Sequence, residues 1–187
     1  YKTFGPHQGV MVIDPALVHQ LPNQGHEFNE DSAVKRLTPA GPDHAQVAAI
    51  AGVIDYFERL DAHHYQERDP AEAPARVRAL IREQEVSLTT ALLDYIDGLT
   101  RAQLLGPRDP AVKAPTIALR CDRSGIEVAR DLAERGIVAG GGDFYGGRVL
   151  DALGIDRGHG VLRLSLAHYN SMDEVEQVAS ALAGVVG

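Results

Sequence analysis

Residues 160–187 read GVLRLSLAHYNSMDEVEQVASALAGVVG, and the change of period inside this stretch decides the fold class. Leu162, Leu164 and Leu166 alternate with Val161, Arg163 and Ser165, the two-residue period of a strand with one apolar face. The spacing then becomes helical. Ser171 and Glu174 stand in the relation of a capping box, and Val175, Val178, Ala179 and Leu182 fall on one side of a helix.

Working backward from this unit, strand and helix alternate. APTIALRC (114–121) reads as a strand, and SGIEVARDLAERG (124–136) as a helix boxed by Ser124 and Glu127 and stopped by Gly136. GIVAGG (136–141) reads as a short strand and YGGRVLDALGI (145–155) as a short helix. A longer helix starts near Ala75, with Val77, Ile81, Leu88, Leu92 and Ile96 on one side. These elements predict an α+β domain, a few mainly antiparallel strands covered by helices.

The first sixty residues do not read as a complete fold. QGVMVIDPALVHQL (8–21) predicts a buried strand at Val10–Ile13, then a turn and a short helix. Residues 22–42 are polar and aperiodic, the kind of segment that serves a function or has its partner elsewhere. Asp43 caps a helix whose apolar face is Val47, Ile50, Ala51, Ile54 and Phe57. DAHHYQERDPAEAP (61–74) breaks the pattern and marks a domain boundary.

Composition narrows the function classes. A chain of 187 residues with 44% hydrophobic and 24% charged residues can bury a substantial core. Its net charge of −8 disfavours nucleic acid and anionic membrane as partners. Cys121 is the single cysteine, so no internal disulfide forms, in keeping with a cytoplasmic location. No apolar run is long enough to span a membrane, and Tyr1 in place of a methionine suggests truncation or processing.

Few residues offer chemistry by themselves. His63-His64 is followed by Tyr65, Gln66 and Glu67, which is not a metal-ligand spacing, so no metal is expected. GGGDFYGG (140–147) lacks the context of a dinucleotide-binding fingerprint and reads as a turn requiring positive φ or close backbone approach. Cys121 reads as a buried structural thiol, and Lys2 alone as a solvated charge. Arg163 is either an exposed strand charge or a guanidinium fork for a carboxylate.

Three stretches together carry a resemblance. GIVAGGGDFYGGRVLDALGI (136–155) followed by GHGVLRLSLAHYNSMDEVEQV (158–178) resembles the C-terminal domain of the class V aminotransferases, the fold-type-I pyridoxal-phosphate enzymes, and most of all their cysteine desulfurase-like branch. YKTFGPHQG (1–9) resembles that family's cofactor-lysine motif, and TPAGPDHAQVAAIAGVIDYF (38–57) the loop and helix between these landmarks.

The resemblance implies that residues 1–62 are the C-terminal part of the large cofactor-binding domain and residues 63–187 the small domain. It implies pyridoxal 5'-phosphate as cofactor, Lys2 as the catalytic lysine that forms the Schiff base with it, and Arg163 as the group that binds the substrate α-carboxylate. Gly41 would lie in the loop that reaches the cofactor phosphate of the other subunit, so an amino-acid substrate and a homodimer are expected. Family members are much longer, and the missing N-terminal part supplies most of the cofactor contacts, so these residues alone are expected to be inactive. Two departures stand out. Pro42 follows Gly41 where the family often has a threonine, and the loop after GIVAGGG lacks the cysteine that a desulfurase needs. A lyase, transaminase or epimerase reaction stays open. The alternative is a non-catalytic α+β binding module, a degenerate homologue.

Overall fold

A computed structural model describes residues 2–39, 41–66 and 69–186, so expectations resting on Tyr1, Glu67 and Gly187 lie outside the described residues. The elements in chain order are α1 (Pro15–Gln20), α2 (His44–His64), α3 (Ala73–Ile96), β1 (Ala102–Leu105), β2 (Thr116–Cys121), α4 (Gly125–Ala133), β3 (Gly140–Gly142), α5 (Gly147–Ala152), β4 (Val161–Ser165) and α6 (Met172–Val186). Two compact units divide the chain, Tyr1–Val77 and Arg78–Gly187.

In the first unit, helix starts are set by aspartates. The Asp14 carboxylate accepts the Ala16 N–H at 2.7 Å ahead of Pro15, and Asp43 accepts from Ala45 and Gln46 at 3.0 and 3.2 Å. Each side chain satisfies backbone donors that the first helical turn leaves without partners. Phe4 lies edge-on to Tyr56 and Phe57 of α2, with ring centroids 6.2 and 6.4 Å apart. Near the end of α2, Asp61 is buried and takes a two-pronged ion pair from Arg76, Nε to Oδ1 at 2.8 Å and Nη2 to Oδ2 at 2.9 Å. Arg76 also donates to the Asp69 carbonyl and lies over the Tyr65 ring, which closes the turn between α2 and α3.

One expectation for this unit fails. Val10–Ile13 forms no strand: the segment makes no ladder among the described residues, and Val10, Met11 and Val12 are exposed. An extended run becomes a strand only when a neighbour takes its backbone groups, and apolar character alone supplies none. The helix expected after Asp43 does form, as α2; on its apolar face Ile50 and Phe57 are half-buried and Val47 and Ile54 exposed.

The second unit is the expected α+β domain. Its sheet runs β1-β2-β4-β3, antiparallel throughout. Leu162 and Leu164 of β4 and Ile117, Leu119 and Cys121 of β2 point into one core, which α3, α4 and α6 cover with residues such as Leu92, Leu132 and Leu182. β1 was not evident in the sequence, and β3 is shorter than the strand expected at 136–141.

Both capping boxes form. Ser124 Oγ accepts the Glu127 N–H while Glu127 accepts the Ser124 N–H and hydroxyl, bonds that hold its carboxyl below the usual carboxylate range. Glu174 and Ser171 repeat the arrangement at α6, and Glu174 also accepts from the Asn170 carboxamide, whose oxygen takes the Ala167 N–H at 2.8 Å. AHYNS is thereby a fastened turn that carries the chain from β4 into α6.

The glycines of β3 have a packing reason. A Cβ at Gly141 would overlap the Gly125 carbonyl, and one at Gly125 would overlap the Val161 backbone. The first turn of α4 therefore rests directly on the β3–β4 backbone, an approach that only residues without Cβ allow.

Candidate functional site

Arg163 sits in β4 opposite Ala118 of β2 on one side and Gly140 of β3 on the other. Since its neighbours Leu162 and Leu164 face the core, the pleat sends Arg163 to the other face of the sheet, where it is exposed. A small second core covers part of that face, Val161 beneath Leu150 and Ile155 with Ala118 and Phe144 alongside. Arg163 stands at its margin. The guanidinium carbon lies 4.0 Å from the centroid of the Phe144 ring. Among the described residues its N–H groups make no hydrogen bond and no ion pair, whereas Arg157 pairs with Asp151 and Arg101 with Asp122. Two positions along the same strand, Ser165 places its hydroxyl 3.5 Å from that of Thr116.

This corner has the chemistry of an anion site: five donors in one plane, a ring against the guanidinium, small residues on both flanking strands and open access. Phe144 was missed in the sequence. The signal was present, because glycines on both sides of Asp143-Phe144-Tyr145 mark a backbone under unusual demands. Phe144 and Tyr145 have φ of 51° and 60°, the left-handed region that bulky residues avoid. The reading of 140–147 as a turn of positive φ and close approach holds.

The other proposed site residues lie in the first unit. Lys2 lines a groove of about 400 Å³ whose apolar wall is Val10, Ile50 and Val53. Gly41 lines a separate groove of about 510 Å³ together with His26, Lys35, Thr38 and His44. Lys2 and Gly41 thus line two different grooves.

Cys121 is buried in the core of the second unit, and burial, aided by the charge of Asp122, pushes its thiol up to about 11. It is protonated near neutral pH, and a thiol is a poor nucleophile until it ionises. Among the described residues no group of three or more metal-ligating side chains comes together, and no helix is long and apolar enough to cross a membrane.

No family model matches the chain. In fold the chain is similar to cysteine desulfurases and, along its sequence, to an aminotransferase-like protein. The cysteine desulfurase of Thermococcus onnurineus NA1 superposes with a TM-score of 0.66 at 24% identity, over 81% of this chain and 33% of that one. A cysteine desulfurase of Escherichia coli gives 0.61 at 19% identity, over 79% of this chain and 32% of that one. The aminotransferase-like protein, from Gibberella zeae, is 29% identical over 193 aligned residues, covering 100% of this chain. An uncharacterized protein of Mycobacterium tuberculosis is 28% identical over 190, covering 97%. The chain spans 44% of the length of each of these two relatives. The likeness to cysteine desulfurases thus holds for the fold, and along the whole sequence the likeness is to an aminotransferase-like protein.

Proposed function

We propose that this chain is the C-terminal portion of a pyridoxal-phosphate-dependent enzyme of the class V aminotransferase family, acting on an amino acid. One observation carries the reading: Arg163 presents a guanidinium without an ionic partner among the described residues, on the open face of the sheet and held against an aromatic ring. A fork in that state suits the α-carboxylate of an amino acid, which it binds through two parallel hydrogen bonds.

The residues around Lys2 fit the cofactor. Its amine is the group that an aldehyde requires, and the groove beside it has an apolar wall suited to a flat ring. Lys2 would hold the cofactor, and Gly41, in its loop, would approach the phosphate of the partner subunit's cofactor in a homodimer. When bound, pyridoxal phosphate supplies a ring that takes up electrons from the substrate Cα. In this reading Lys2 Nζ would move the proton at that Cα, and Arg163 would bind the substrate carboxylate. The division into a large-domain tail at residues 1–62 and a small domain at 63–187, and a cytoplasmic setting, belong to the same reading. The exposed Val10–Val12 run and the exposed Val47 and Ile54 of α2 support it, because both are surfaces that a further part of the protein would bury.

A reductive trap tests the cofactor. The whole protein that carries this chain, incubated with pyridoxal phosphate, reduced with borohydride and digested, should yield one modified peptide with the adduct on Lys2. Lys2→Ala should yield none. An unmodified Lys2 in the whole protein would sink the enzyme reading and leave a binding module in its place.

The reading favours transamination, elimination or epimerisation over desulfuration. The loop 140–147 offers no thiol, and Cys121 is buried and protonated. The whole protein should therefore release little sulfur from cysteine, and Cys121→Ser should leave that release nearly unchanged. A large drop in Cys121→Ser would make Cys121 the nucleophile.

A further inference from the structure

We infer that Phe144 is a positioning residue, whose ring holds the Arg163 guanidinium in one orientation so that a planar acid meets the edge of the fork. The inference deepens the carboxylate reading of Arg163 and rests on it.

An arginine side chain has several rotatable bonds, and an exposed one loses that freedom when it grips a ligand. Here part of the loss is taken beforehand. The guanidinium carbon lies 4.0 Å from the Phe144 centroid, well inside the roughly 6 Å reach of a cation–π contact. The ring is itself fixed. Phe144 and Tyr145 both take left-handed backbone angles, and the turn is tied by Asp143, whose carboxylate accepts the Tyr145 N–H and whose carbonyl accepts the Gly146 N–H at 2.8 Å. This turn sends Phe144 inward and leaves Tyr145 fully exposed. Beneath it lies Gly140, directly paired with Arg163, where a Cβ would strike the ring at 2.9 Å. A left-handed turn, a missing methyl and a free guanidinium thus meet at one point. With the ring against one side of the guanidinium, the N–H edge is the productive approach, and that edge matches a carboxylate.

Nuclear magnetic resonance on the chain, labelled with ¹⁵N-arginine, tests this, with acetate as the probe and Arg163→Lys to assign the Arg163 Nε–Hε signal. In the unmodified chain the ring current should shift that signal upfield, and acetate should move it. Phe144→Leu should return the signal to the position of exposed arginines and weaken the acetate titration about two- to fivefold, the range that an exposed cation–π contact supports. Phe144→Tyr should keep both properties, and Gly140→Ala, which displaces the ring without removing it, should behave like Phe144→Leu. The backbone amides of Leu162 and Leu164 report an intact sheet. An unmoved Arg163 signal in Phe144→Leu, or equal losses in Phe144→Tyr and Phe144→Leu, would overturn the proposal. Should the variants not fold, absence of nuclear Overhauser contacts between the Phe144 ring and the Arg163 side chain in the unmodified chain would do so. If the ring shift depends on Phe144 while acetate moves nothing, the positioning stands and the carboxylate reading of Arg163 falls.

Discussion

Gly141→Ala is expected to cost the second unit about 3 kcal/mol or more, at the upper end of overpacking penalties. The added methyl would overlap the Gly125 carbonyl, which belongs to the first turn of α4 and cannot rotate aside as a side chain would. Relief requires lifting α4 from the sheet, and Val128 and Leu132 of that helix sit in the main core. For a domain of this size the loss corresponds to a melting midpoint lower by about 10–20 °C. Calorimetry on the chain measures it, with Gly136→Asn as the control. Gly136 has a positive φ, of 80°, which Gly141 does not share, and open space around it, and asparagine tolerates that conformation. Equal shifts for the two variants would show that the contact between α4 and β3 places no special demand for glycine at position 141.

Arg163→Lys should lower kcat/KM of the whole protein for α-amino acids by roughly ten- to a hundredfold. Charge-assisted hydrogen bonds contribute about 1.5–3 kcal/mol, and lysine offers a point charge where the fork offered two parallel bonds. Each 1.4 kcal/mol is about a factor of ten. An amine without the carboxylate never uses the fork and should be much less affected. Equal losses for acid and amine would make Arg163 a residue of the fold, with no part in recognition.

Where local chemistry determines an element, the sequence showed it. Ser124-Glu127, Ser171-Glu174 and Asp43 name their helix starts because each bond closes within three residues. The alternation around Arg163 placed it away from the core for the same reason: a pleat is local. What the sequence hid depends on distant partners. Val10–Ile13 has the composition of a strand and no neighbour to pair with among the described residues. β1, with its Ala-Gln-Leu-Leu, becomes a strand because β2 pairs with it from Ala102↔Cys121 to Leu105↔Ala118. Phe144 looked like part of a loose turn, and its position over Gly140 and beside Arg163 comes from strand pairing that no single stretch encodes.

The sheet order also bears on how the chain assembles while it is being made. β2 lies at the centre between β1 and β4, and its pair Thr116–Ser165 is 49 residues apart in sequence. β1 and β2 can meet as soon as both have left the ribosome, since little chain separates them. β4 cannot, because α4, β3 and α5 must be synthesised first and a long loop closed around them. Through that interval one side of β2 has a full row of backbone donors and acceptors without its ladder, flanked by Ile117 and Leu119. This nascent edge, present only in transit, is where the chain is most open to pairing with the wrong strand.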